Sequence, residues 1–212
     1  MQVTGFAAGP LETNCYIVVN EHSGEAIIVD PSLGAHSRAE QFLQEHGLRA
    51  VAVVLTHGHI DHTRDAGAFG LETYIHAADA FMLTETAHIE WLRVPFQIDA
   101  MPPVERVTTV GDGERVSLAG LDFTVRHAPG HSPGSCLWVH EDFVLTGDVL
   151  FQGGIGRTDL PFSDDEAMQE SLRGPVWELE DRLPVLPGHG PTSTMARERE
   201  TNTYLREAMS GR

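Results

Sequence analysis

Thr56-His57-Gly58-His59-Ile60-Asp61-His62 places three imidazoles and a carboxylate within six consecutive positions, directly after the apolar run 51–55. Nitrogen and oxygen donors of this kind suit a borderline metal ion such as zinc. The run before them is rich in β-branched residues, as expected of a strand buried on both faces, and residues 63–69 read as a short helix. The histidines then occupy the loop at the carboxyl end of a central strand, where open α/β architectures bind ligands. A lone histidine after a strand is usually a hydrogen-bonded structural residue. Four ionisable groups packed this closely without a cation would instead suffer a heavy desolvation penalty.

Further candidates lie at other strand ends. His131 sits inside Ala128-Pro129-Gly130-His131-Ser132-Pro133-Gly134-Ser135, where rigid neighbours fix its position. Asp148 follows Gly147 after the strand 143–146, and His189 lies in Pro187-Gly188-His189-Gly190. With His57, His59, Asp61 and His62, that makes seven potential ligands. A single structural zinc takes about four. Two divalent metal ions are therefore expected, and the Asp148 carboxylate can bridge them.

Strands are expected at Gln2–Ala8, 14–19 and Glu25–Val29 as a meander ending in Asp30. Asp30 is either a turn former or a partner for a ligand histidine. A helix over 37–46 precedes the histidine stretch, and a strand at 72–75 and a helix over 77–87 follow it. Residues 88–104 are irregular, with Trp91 and Phe96 either covering the core or lining a cleft. Strands return at 105–109, 114–118, Leu121–His127, Cys136–Val139, 143–146 and 183–186. A capping pattern at Ser163 opens a helix over 167–173, and 195–209 reads as a charged closing helix. A turn, a cysteine-containing strand, a hairpin and a strand ending in Asp occur around Cys15 and again around Cys136. Two related halves would form a sandwich of two sheets with helices outside, in a single domain spanning 1–212.

The chain of 212 residues carries a net charge of −17, and its 14 basic residues are all arginine. Such a surface repels phosphate backbones and anionic lipid, which argues against nucleic acid and membrane as partners. No apolar window is long enough to span a bilayer and no signal-peptide pattern opens the chain, so a cytoplasmic location is expected. The two cysteines read as buried, reduced thiols. Nothing in the pattern speaks to oligomeric state.

Asn14-Cys15-Tyr16, the strand end at Asp30, THGHIDH, APGHSPGS around His131, LTGD at Asp148 and PGHG at His189 together resemble the metallo-β-lactamase superfamily over almost the whole chain. The resemblance implies a four-layered αββα sandwich. It also implies that His57, His59 and His131 hold one metal and Asp61, His62 and His189 the other, with Asp148 bridging. Zinc is the expected ion, and iron or manganese suits the same donors. The stretch Gly153-Gly154-Ile155-Gly156-Arg157-Thr158-Asp159 looks like the glyoxalase II group, particularly its short bacterial members, which hydrolyse S-2-hydroxyacyl thioesters of glutathione. This chain has Arg157 where the longer enzymes use a lysine, and it has no helical C-terminal extension, so its small-molecule thiol carrier stays open. The implied chemistry is attack on the thioester by a metal-bridging hydroxide, with Asp61 as ligand and proton acceptor. Arg157, Trp91 and Phe96 are candidate substrate contacts. The same superfamily includes a mononuclear iron persulfide dioxygenase, here through His57, His131 and Asp148, and other hydrolases such as lactonases.

Overall fold

The computed structural model describes residues 1–84 and 95–211. Alternating and continuous apolar runs build a first sheet from β1 (Gln2–Ala8), β2 (Thr13–Asn20), β3 (Glu25–Val29), β4 (Arg49–Val54), β5 (Glu72–His76) and β6 (Val107–Val110), in that spatial order. The meander β1–β2–β3 is antiparallel, and β3 through β6 run parallel. Helix α1 (Ala35–His46) crosses from β3 to β4 and ends at Gly47 in a left-handed conformation. Helix α2 (Ile60–Thr63) is one turn after β4.

The second sheet begins with β7 (Arg115–Leu118), β8 (Leu121–His127), β9 (Cys136–Val139) and β10 (Val144–Gly147). A small hairpin, β11 (Leu150–Phe151) and β12 (Gly154–Ile155), and helix α3 (Asp165–Ser171) separate these from β13 (Pro184–Pro187) and β14 (Ser193–Thr194). The spatial order is β14-β13-β10-β9-β8-β7. Helices α4 (Met195–Thr201) and α5 (Thr203–Ser210) close the chain. The parallel pair β10–β13 repeats the parallel pair β3–β4, so each half follows an antiparallel hairpin with a parallel partner.

Tyr16, Val18, Ile27 and Val54 of the first sheet meet Phe123, Val125, Trp138 and Leu145 of the second in a shared core. On the outer face of the first sheet, Ile17, Ile28 and Val53 bury Ala35, Ala39 and Leu43 of α1. On the outer face of the second, Leu137, Val144 and Val185 pack on Met168 of α3 and Leu205 of α5. These are the four layers of the αββα sandwich. Among the described residues no helix is long and apolar enough to cross a membrane.

Four helices differ from the pattern-based expectation. The helix expected over 63–69 is instead α2, starting at Ile60, and a separate 3-10 turn Ala66–Phe69. The break falls at Asp65, whose carboxylate turns back to accept from Gly34 N–H (2.8 Å) and His36 N–H (3.1 Å), supplying acceptors at the start of α1. The cap of α3 is Asp164, which accepts from Ala167 N–H, while the Ser163 hydroxyl donates to the His131 carbonyl. Residues 195–209 split at Asn202, whose side chain caps α5 and also donates to Gly154 O (3.0 Å) and Glu198 Oε2 (3.0 Å). Of the helix expected over 77–87, the described part is the 3-10 helix Ala77–Leu83.

Trp138 joins the two halves. It is fully buried, packs edge-to-face on Phe123, and donates its indole N–H to the Leu55 carbonyl (3.2 Å), one residue before Thr56. Trp138→Ala is expected to destabilise the chain by about 3–5 kcal/mol, measured by chemical denaturation.

Candidate metal centre

The loops that follow β4, β8, β10 and β13 converge at one edge of the sandwich. The β4 loop supplies His57 and His59, and α2 begins at once, so that Asp61 and His62 share its single turn. His131 comes from the β8–β9 connection, Asp148 follows β10, and His189 follows β13. All seven residues expected from the sequence are brought together. Their ligand atoms form overlapping groups, each within 4.8 Å of one another: His57, His59 and His131; Asp61, His62 and His189; and His57, His62 and Asp148.

Hydrogen bonds on the outer side of the rings decide which nitrogen faces inward. A carbonyl only accepts, so His131 Nδ1–H donates to the Arg157 carbonyl (2.8 Å) and His189 Nδ1–H to the Leu11 carbonyl (3.1 Å). His62 Nδ1–H donates to Asp30 Oδ2 (2.9 Å). The Thr56 hydroxyl also donates to Asp30 Oδ2 (2.7 Å), leaving its oxygen to accept from His57 Nδ1–H (3.1 Å). Four rings therefore turn Nε2 inward. His59 presents Nδ1 instead, 2.8 Å from His131 Nε2.

Asp30 fills both roles left open by its sequence. Its backbone is left-handed at φ 49°, turning the chain out of β3, and its buried carboxylate holds Thr56 and His62. Thr13 Oγ1 donates to Asp61 Oδ2 (2.9 Å), and Asn14 and Tyr16 donate to the Pro187 carbonyl beside His189.

Inside the ring of ligands the lone pairs face one another. His62 Nε2 lies 3.4 Å from Asp61 Oδ2 and 3.3 Å from Asp148 Oδ1. His189 Nε2 lies 3.2 Å from Asp61 Oδ2 and 3.4 Å from Asp148 Oδ2, and His131 Nε2 is 3.4 Å from that same Asp148 oxygen. His57 Nε2, His62 Nε2 and Asp148 Oδ1 are buried with no hydrogen-bond partner among the described residues. Buried acceptors aimed at one another are unfavourable unless a proton or a cation lies between them. The set of imidazole and carboxylate donors fits a divalent metal such as zinc, iron or manganese.

The side chains' own electrostatics show the same demand. Burial, reinforced by neighbouring imidazoles, holds His57 well below its ordinary pKa and His59 down to about 3. Burial also disfavours charge on His62 and His189. At His62 the carboxylates of Asp61, Asp148 and Asp30 outweigh it and raise the pKa well above the usual value, and at His189 hydrogen bonds to Asp148 and Asp61 raise it to about 9. Burial pushes the carboxyls of Asp61 and Asp148 up, but His62 and His189 beside them hold both well below the usual range. Two buried carboxylates thus require positive charge at their side. Protons on His62 and His189 meet that need, and a divalent cation meets it while freeing both nitrogens as ligands.

Of the candidate substrate contacts, Trp91 lies outside the described residues. Phe96 is only 1 % exposed and packs against Ile60 with Leu33 and Met101, so it covers the core behind α2 and presents no surface to a substrate. Its apolar neighbours, invisible as contacts in the sequence, decide this. The Arg157 guanidinium is exposed and paired with Asp159 through two bonds (2.8 and 2.9 Å), while its carbonyl orients His131. Both cysteines are free and buried, and burial pushes their thiols up; Cys136 Sγ–H donates to the Thr56 carbonyl (3.4 Å).

Thr13 and Asp79 had no sequence signal. Asp79 is fully buried, accepts from Gly58 N–H, Ser132 Oγ–H and Gly134 N–H, and links two histidine loops. Burial raises its pKa against the pull of those donors.

A two-sheet sandwich carrying this cluster at its edge defines a class of metal-dependent proteins. The chain matches the model of the metallo-β-lactamase superfamily over residues 8–189 and belongs to that family. It is 40% identical over 215 residues to an uncharacterized protein of Mycobacterium leprae, covering 97% of this chain and 99% of the relative. It is 37% identical over 204 residues to the hydroxyacylglutathione hydrolase GloC of Haemophilus influenzae, covering 92% of this chain and 93% of the relative. Among solved structures it is similar to the BLEG-1 B3 metallo-β-lactamase, with 30% identity, a TM-score of 0.86, and coverage of 96% of this chain and 99% of that one. TTHA1623 in a di-iron-bound form is similar at 32% identity and a TM-score of 0.79, covering 95% of this chain and 99% of that one.

Gly188 shows how tightly the ligands are packed. A Cβ there would stand 2.2 Å from Asp148 Oδ1 and 2.6 Å from His62 Cε1. Gly188→Ala is expected to lower divalent-metal affinity by about 10–100-fold with little change in far-UV circular dichroism, as measured by titration of the chelator-stripped chain.

Proposed function

We propose that this chain is a binuclear metallohydrolase that cleaves S-2-hydroxyacyl thioesters of a low-molecular-weight thiol. In this reading His57, His59 and His131 hold one ion, Asp61, His62 and His189 the other, and Asp148 lies between them. The observation that carries it is the Asp148 carboxylate, with Oδ1 facing His62 and Oδ2 facing both His131 and His189. A one-metal site built from His57, His131 and Asp148 gives no reason for Asp61, His62 and His189 to converge as well. The likeness to GloC over nearly the whole chain supports the thioester substrate.

Two bound ions would supply a water acidic enough to ionise near neutral pH and a Lewis acid for the thioester carbonyl. The protein's part is to hold the donors rigid. Thr13 holds Oδ2 of Asp61 and the short α2 turn holds its backbone, which supports the reading that Asp61 would accept a proton from a metal-activated water. A departing thiol with the ordinary cysteine pKa of about 8.5 would leave as thiolate without a strong general acid. Arg157, released from Asp159, and Trp91 remain proposed contacts for the thiol carrier. The acidic surface fits a small-molecule substrate and neither nucleic acid nor membrane.

Elemental analysis of the purified chain should find about two metal equivalents, the expected count for two ligand groups. The same sample should hydrolyse S-lactoylglutathione or a related thioester, and lose that activity to a chelator. One iron with oxygen uptake on a persulfide would overturn the reading. Asp61→Asn is expected to lower kcat by about 10²–10⁴-fold. Full turnover with full metal content in that variant would remove Asp61 from the proposed role.

A further inference from the structure

Asp79 is a carboxylate for which the proposed chemistry has no use. It lies fully buried on the 3-10 helix Ala77–Leu83 that follows β5. Its Oδ2 accepts from Gly58 N–H (2.8 Å) and Ser132 Oγ–H (2.6 Å), and its Oδ1 from Gly134 N–H (2.5 Å). Gly58 separates His57 from His59, and Ser132 and Gly134 follow His131. The three imidazoles of one group thus come from two loops, and one carboxylate binds both. The glycines mark where the loops close on it: a Cβ on Gly134 would lie 2.7 Å from Asp79 Cβ, and one on Gly58 3.0 Å from the Asp79 carbonyl oxygen.

The other group is tied down elsewhere. Thr13 bonds Asp61 (2.9 Å), Asp30 bonds His62 (2.9 Å) and the Leu11 carbonyl bonds His189 (3.1 Å). None of these partners touches Gly58, Ser132 or Gly134 through the bonds described.

We propose that Asp79 is a positioning residue that sets the geometry of the His57, His59 and His131 group and leaves the Asp61, His62 and His189 group unaffected. The inference rests on the two-metal reading. Its basis is acceptor arithmetic: an ionised carboxylate offers two accepting oxygens to three donors, whereas asparagine offers one oxygen and an NH2. In Asp79→Asn at least one loop faces a donor with a donor and must move away, carrying its histidine with it.

The test uses the full chain, stripped by chelator and titrated with cobalt(II), whose visible bands and shifted imidazole N–H signals report the two ligand sets separately. Wild type should take up about two equivalents. In Asp79→Asn the three-imidazole equivalent should weaken by about 10–100-fold while the other stays essentially unchanged. Thr13→Val should show the opposite pattern. The same pattern in both variants, or equal weakening of the two equivalents in Asp79→Asn, overturns the proposal. If Asp79→Asn does not fold, Ser132→Ala removes one of the three bonds and should weaken the same equivalent by at least about threefold. An unchanged three-imidazole equivalent in Ser132→Ala overturns the proposal in that case. Wild type that binds no cobalt contradicts the two-metal reading and this inference together. Two equivalents in wild type with unselective weakening in the variant contradict this inference alone.

Discussion

Inward-facing lone pairs are the constraint on which the rest of this structure depends. Five imidazoles and two carboxylates meet in a buried space, and hydrogen bonds behind the rings forbid several of them from turning to other partners. A group in that position is costly to bury alone, because it has lost water and gained no donor. The fold accepts the arrangement because four of the five rings are held from behind: His62 by Asp30, His57 by Thr56, His131 by the Arg157 carbonyl, and His189 by the Leu11 carbonyl. Pre-organisation of this kind is what a metal site needs, since donors already in place lose little freedom on binding.

The two-sheet architecture supplies the edge at which this happens. Parallel pairs β3–β4 and β10–β13 send their following loops the same way, so the histidine stretch and the Pro187-Gly188-His189-Gly190 loop arrive from opposite halves. The shared core then locks the halves at that edge. Trp138 reaches across to Leu55, and Cys136 N–H bonds the Thr56 carbonyl (3.0 Å), so the second sheet grips the chain immediately before the first ligand. Glycine is required where main chain runs against ligand, as at Gly188, where a methyl group would collide with Asp148 and His62.

Much of this was legible in the sequence because the chemistry is concentrated. Seven ligand-type residues at strand ends announced a metal cluster, and the repeated order of cysteine strand, hairpin and terminal aspartate announced two halves. What could not be read was whatever depends on contacts distant in sequence. Asp79 bonds residues 21 and 53 positions away and sits in a stretch that reads as an ordinary helix. The inward Nδ1 of His59 depends on ring orientation, which spacing does not encode. The early start of α2, the break at Asn202 and the burial of Phe96 each follow from tertiary partners that override local pattern. Arg157 read as a charge near the site, yet its carbonyl is what orients His131.

In the proposed arrangement the seven ligands form two adjoining metal positions joined by Asp148. Anomalous diffraction from crystals of the metal-loaded chain, recorded on either side of the metal's absorption edge, tests it most directly. Two peaks are expected, one among His57, His59 and His131 and the other among Asp61, His62 and His189, with Asp148 in contact with both. A single peak, with His189 and Asp61 turned away from it, would contradict the account.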